Sequence, residues 1–131
     1  MQAAVVLMSR APVAGRTKTR LESHLKAGEC AELHQAFLKD INSKLLNLKK
    51  NYSRLDLYLS YTPADSSSLF AEIIAEDFIR IPQRGKNLGE RMYHAAADAY
   101  RKSELPVIIT GSDLPLLDID IFTEALAGLK E

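Results

Sequence analysis

Arg10, Arg16, Lys18 and Arg20 fall within the twelve residues Arg10-Ala-Pro-Val-Ala-Gly-Arg-Thr-Lys-Thr-Arg-Leu21, and no acidic residue precedes Glu22. The whole chain holds 17 basic and 17 acidic side chains, so this excess is local. Pro12 and Gly15 interrupt helix and strand, which makes the segment a loop. Four cations on one loop repel one another unless something negative sits among them, and a phosphate or diphosphate is the natural candidate. One such contact at 4 Å contributes about 1 kcal/mol in water and about 4 kcal/mol at an effective dielectric of 20. The alternative is a solvated basic loop. A second candidate is Asp113, in Gly111-Ser112-Asp113, directly after an apolar run. A carboxylate there suits Mg²⁺ or Mn²⁺, hard cations that take oxygen ligands and bridge to phosphates. Its alternative is a turn residue closing its own loop.

Other chemistries find no support. The P-loop pattern fails because Arg16 follows Gly15 and Arg10 occupies the first glycine position. No G-x-G-x-x-G follows the first apolar run. His24, His34 and His94 show no zinc spacing, and His34 reads as a helix-flank residue. Cys30, the single cysteine, reads as core packing and excludes an intrachain disulfide. Ser66 to Ser68 read as turn chemistry.

These residues need a scaffold. A chain of 131 residues, 47% hydrophobic and 26% charged, suits one soluble domain over residues 1–131. Zero net charge argues against a nucleic-acid or membrane-surface partner. Ala3 to Met8 is too short to span a bilayer and lacks the flank of a signal peptide, so a cytoplasmic location is expected.

Ala3 to Met8 is continuously apolar and predicts a buried parallel strand. From Gly28 to Lys50, the residues Cys30, Leu33, Phe37, Ile41, Leu45 and Leu48 predict one buried helical face. Leu55 to Tyr61 reads as a second strand and Leu69 to Ala75 as a short helix. Phe78 to Ile81 reads as an edge strand ended by Pro82. After the polar loop Gln83 to Asn87 comes a helix from Leu88 to Lys102, with Leu88, Met92, Ala95, Ala96 and Ala99 on its buried face. Asn87 and Glu90 have capping-box spacing. Pro106 to Thr110 is the clearest strand, and a last helix is expected from Ile119 to Lys130, with Asp118 as N-cap. Strands alternating with helices predict a three-layer α/β sandwich around a mostly parallel sheet. In such sheets ligands bind at the carboxyl ends of the strands, where all the candidate loops fall.

Taken together, the motifs resemble a known family. Arg10 to Leu21 looks like its first-loop pattern K-x-P-x-x-G-x-x-K-T-R-L, with Arg10 in place of Lys. Gln83-Arg-Gly-Lys-Asn-Leu-Gly-Glu-Arg-Met92 resembles Q-x-G-x-x-L-G-x-R-M, and Ile109 to Pro115 resembles I-G-S-D-x-P. The family comprises glycosyltransferase-like proteins of the nucleotide-diphospho-sugar transferase superfamily, with the GT-A fold. The resemblance implies that Lys18 and Arg20 hold nucleotide phosphates, assisted by Arg10, Gly15, Arg16 and Ser112. It implies that Gln83, Gly85 and Gly89 line the base or ribose side, while Arg91 braces the loop. It makes Asp113 the metal ligand, and Lys18 and Asp113 the residues closest to catalysis.

The expectation is a Mg²⁺- or Mn²⁺-dependent transferase that binds a nucleoside triphosphate or nucleotide sugar and moves a nucleotidyl or glycosyl group. The alternative is a nucleotide-binding or interaction module without catalysis. Only one helix is expected after Asp113, where family members usually continue with further strands, so the fold reads as C-terminally short. An uncovered Pro106 to Thr110 strand would then favour a homodimer, or a loosely packed monomer prone to aggregate. A last helix folding back over it would give a monomer instead.

Overall fold

The computed structural model describes residues 2–11 and 27–111, apart from the side chains of residues 27, 28 and 30. Among the described residues, four strands form one sheet: β1 (Gln2–Arg10), β2 (Arg54–Thr62), β3 (Phe78–Pro82) and β4 (Val107–Gly111). Helix α1 (Ala27–Lys49) lies between β1 and β2 in the chain, and α2 (Leu88–Ser103) lies between β3 and β4. The strand order is β3-β2-β1-β4, and every pairing is parallel. The sheet grows outward from β1 through β2 to β3, then reverses to place β4 on the other side of β1. With right-handed crossovers, that reversal puts α1 and α2 on opposite faces.

β1 serves both faces. Ala3, Val5 and Leu7 join Leu38, Ile41, Leu45 and Leu48 of α1 in one core. Ala4, Val6 and Met8 join Ala95 and Ala99 of α2 in the other. An uninterrupted apolar run is what a strand covered on both sides requires. Each fully buried leucine or isoleucine of α1 contributes about 1.5–3 kcal/mol relative to exposure.

Three local expectations are corrected. The buried stripe of α1 is Ala31, His34, Leu38, Ile41, Leu45 and Leu48, while Leu33 and Phe37 are only half-buried. The first turns are therefore rotated by about one residue, because His34 rather than an apolar side chain occupies the inner position. Leu88 and Met92 are exposed, at 67% and 40%, not buried. They belong to the first turns of α2, on the loop side of Ala95 and Ala99, the helix's core contacts. The expected helix from Leu69 to Ala75 is a single 3₁₀ turn, Ser67–Phe70, followed by turns. Ser66 gives this turn no side-chain cap, its hydroxyl donating instead to the Pro63 carbonyl at 2.6 Å. The expected helix from Ile119 to Lys130 lies outside the described residues. Among the described residues, no helix is long and apolar enough to cross a membrane.

Candidate phosphate-binding edge of the sheet

The carboxyl ends of β1, β2 and β3 are tied together by backbone and amide bonds. Ala11 donates its N–H to the Thr62 carbonyl, and Gln83 donates its N–H to the Tyr61 carbonyl, both at 2.8 Å. The Gln83 side-chain amide donates to the Ser60 carbonyl at 3.0 Å and reaches the Ser9 carbonyl at 3.5 Å. This glutamine adds a side-chain donor to carbonyls at the end of the β1–β2 ladder. The Thr62–Pro63 peptide is cis.

The loop from Gln83 to Asn87 is braced against α2. Asn87 caps the helix by accepting the Glu90 N–H at 2.9 Å, as its spacing predicts. Glu90 reaches back to the Lys86 N–H at 2.7 Å, one residue before the position a standard capping box uses. Arg91 Nε donates to the Gly85 carbonyl at 3.2 Å, and Arg84 pairs with Asp98 at 2.7 Å. Gly85 has φ +131°, and a Cβ there would lie 2.8 Å from Glu90 Cβ and 2.9 Å from the Arg91 backbone nitrogen. Glycine is thus required for the loop to pack on the helix. Gly89 differs: a Cβ there would meet only Asn87 Oδ1 at 3.4 Å, so the protein itself leaves room for a side chain.

Above these anchors lies an open cleft of about 230 Å³, lined by Arg10, Ala11, Thr62, Pro63 and Arg91. Among the described residues, no carboxylate pairs with Arg10 or Arg91. Two arginines lining one cleft, with no carboxylate partner among the described residues, suit an oxyanion. The N-terminus of α2 adds the positive end of its dipole at the same edge.

Of the residues singled out in the sequence, the structure places Arg10 at the cleft. It places Gln83 beneath the strand ends, and Gly85 and Gly89 on the adjoining loop and helix start. Gly15, Arg16, Lys18, Arg20, Ser112 and Asp113 lie outside the described residues. No group of three His, Cys, Asp or Glu side chains among the described residues could hold a metal ion. Arg91 braces the loop and lines the cleft at once. Thr62 and Pro63 also line it, although no motif in the sequence singled them out. Their position directly after an apolar strand was the signal available.

At the opposite end of the sheet, Arg54 and Ser103 converge on Asp56. Arg54 Nη2 and Ser103 Oγ donate to Asp56 Oδ2 at 2.9 and 2.6 Å, and the Tyr58 hydroxyl donates to Ser103 Oγ. Burial pushes the Asp56 carboxyl up, but the Ser103 and Arg54 hydrogen bonds and the Arg54 charge outweigh it, leaving the group below its ordinary value.

Among the described residues, a four-stranded parallel sheet whose order reverses between β1 and β4 is a doubly wound α/β architecture. Its closer kinship is to nucleotide-diphospho-sugar transferases. It matches the crystal structure of a "putative nucleotide-diphospho-sugar transferase" from Desulfovibrio desulfuricans G20 with a TM-score of 0.81 and 26% identity. The match covers 100% of this chain and 56% of that one, so the chain spans little more than half of its neighbour's length. Residues 45–131 match the profile of the family described as "Uncharacterized protein conserved in bacteria (DUF2064)", and the chain belongs to that family. No curated protein matches the sequence.

Proposed function

We propose that this chain binds the diphosphate of a nucleoside triphosphate or nucleotide sugar at the carboxyl edge of its sheet and transfers a nucleotidyl or glycosyl group. The observation that carries the reading is the cleft that Arg10 and Arg91 line at the carboxyl ends of β1 and β2. The likeness to a nucleotide-diphospho-sugar transferase structure supports it. In this reading Arg10 and Arg91 neutralise phosphate oxygens, and Lys18 and Arg20, assisted by Arg16, hold nucleotide phosphates. Gly89 leaves space beside the helix start for the ligand to approach.

The described residues at this edge fit phosphate rather than metal, because they are cations and hold no carboxylate cluster. The metal ligand in this reading is Asp113, two residues beyond the end of β4. Mg²⁺ or Mn²⁺ held there would supply charge neutralisation on the phosphates.

A thermal-shift panel of nucleoside triphosphates and nucleotide sugars, each with and without Mg²⁺ or Mn²⁺, tests binding. Stabilisation by at least one ligand is expected, and no shift with any of them would overturn the reading. Asp113→Asn should abolish the metal-dependent part of the shift, whereas Lys18→Ala and Arg20→Ala should weaken binding and flatten its salt dependence. Equal metal-dependent affinity in Asp113→Asn and the parent would remove the metal role. A turnover assay with the stabilising ligand separates a transferase from a binding module.

A further inference from the structure

His34 sits in the buried stripe of α1, 2% exposed, where the helical pattern calls for an aliphatic side chain. A buried imidazole is retained only where its hydrogen bonds are satisfied. Its Nε2 lies 2.9 Å from the Arg10 carbonyl and 3.1 Å from Ser9 Oγ. A carbonyl can only accept, so Nε2 carries the proton. The Ser9 hydroxyl donates to the same carbonyl at 2.8 Å, so two side chains converge on one backbone oxygen.

The position of that oxygen explains the arrangement. Ala4 donates its N–H to Pro106, on the β4 side, and Ala11 donates to Thr62, on the β2 side. Backbone groups alternate sides along a strand, so Arg10 shares the parity of Ala4 and its carbonyl faces the β4 side. The β1–β4 ladder ends at Met8 and Gly111. Beyond that point, among the described residues, no strand supplies a donor, and His34 with Ser9 fills the place. This is the mouth of the crevice between β1 and β4, where the strand order reverses.

We propose that His34 is a positioning residue for phosphate binding. By holding the Arg10 carbonyl it fixes the last residue of β1, and with it the start of the Arg10 side chain that lines the cleft. The role rests on the phosphate reading above. The amide of Gln places a donor near the Nε2 position of His, so His34→Gln keeps the bond while His34→Leu removes it.

Two measurements on the full chain test the proposal: native-state hydrogen exchange at Ala11, and titration with inorganic pyrophosphate, the part shared by nucleoside triphosphates and nucleotide sugars. His34→Leu is expected to raise exchange at Ala11 at least about tenfold relative to Val5 to Leu7, and to weaken pyrophosphate binding about tenfold. His34→Gln should return both to within about threefold of the parent. Unchanged Ala11 exchange in His34→Leu, an equal rise at all amides, or unchanged affinity would overturn the proposal. So would failure of His34→Gln to rescue. A parent that binds no pyrophosphate would overturn the phosphate reading and the role of His34 in binding, while the exchange data still decide whether His34 holds the strand end. Should His34→Leu not fold, Ser9→Ala removes the other donor to the same carbonyl and carries the same comparison.

Discussion

The two ends of the sheet are both polar, and they use polarity differently. At the amino end, Arg54, Asp56, Tyr58 and Ser103 satisfy one another and lock the last turn of α2 to β2. At the carboxyl end the backbone is also tied by Gln83, Asn87, Glu90 and Arg91. Yet Arg10 and Arg91 still face an open cleft there without a carboxylate among the described residues. A closed network stabilises the fold, whereas arginines with no carboxylate partner among the described residues leave charge that, in the reading proposed above, a ligand balances. The difference lies in where the counter-charges are, not in how many polar groups each end carries.

Substitutions can break or sharpen that contrast. The largest effect on stability is expected from Gly85→Ala, which combines a positive φ with backbone approaches of 2.9 and 3.0 Å that no rotamer can relieve. A loss of about 2–4 kcal/mol in denaturant unfolding is expected, and a loss below about 1 kcal/mol would show that the loop simply re-forms.

Asp56→Asn removes the charge at the centre of the closed network and is expected to reduce stability by about 1–2 kcal/mol at neutral pH. The folded Asp56 titrates below its unfolded value of 3.8, so the folded state binds fewer protons than the unfolded state in that region. Its contribution is complete above the unfolded value and is lost as pH falls through the folded one. The gap between parent and Asp56→Asn should therefore close below about pH 4. Melting temperatures measured across pH 2–7 would check it, and a constant gap would contradict the assignment.

Asn87→Ala should cost about 1 kcal/mol through the lost cap, measurable as a lower unfolding midpoint with an unchanged denaturant slope. The smallest stability effects are expected at the open end. Gly89→Ala and Arg10→Ala should each change stability by less than about 0.5 kcal/mol while weakening binding of pyrophosphate or a stabilising nucleotide. If they instead destabilise the fold and leave binding intact, the two ends of the sheet do not differ in the way described.

The fold was legible wherever sequence pattern and burial coincide. The apolar run of β1, the clear strand Pro106 to Thr110 and the Asn87–Glu90 spacing each point to the element or cap observed. The phase of α1 was misread because His34 behaves as a core residue only through Ser9 and Arg10, partners 24 and 25 positions away. Leu88 and Met92 fit an apolar helical stripe, but a stripe does not reveal where the covering layer ends. At the candidate site, the motif from Gln83 to Met92 mixes bracing residues with cleft-lining ones at one spacing. Only the geometry separates Gly85, required by backbone packing, from Gly89, where the protein leaves room.

The central place of β1 also governs the order in which the molecule can be made. Its first partner, β2, begins about 50 residues downstream, and its second, β4, about 100. At elongation rates of about 5–20 residues per second, β1 waits on the order of 5–20 s between its own synthesis and that of β4. Throughout that interval an unbroken apolar segment is available to chaperones or to another nascent chain. Closure of the sheet between β1 and β4 therefore comes late, after every residue that lines the candidate cleft has been made.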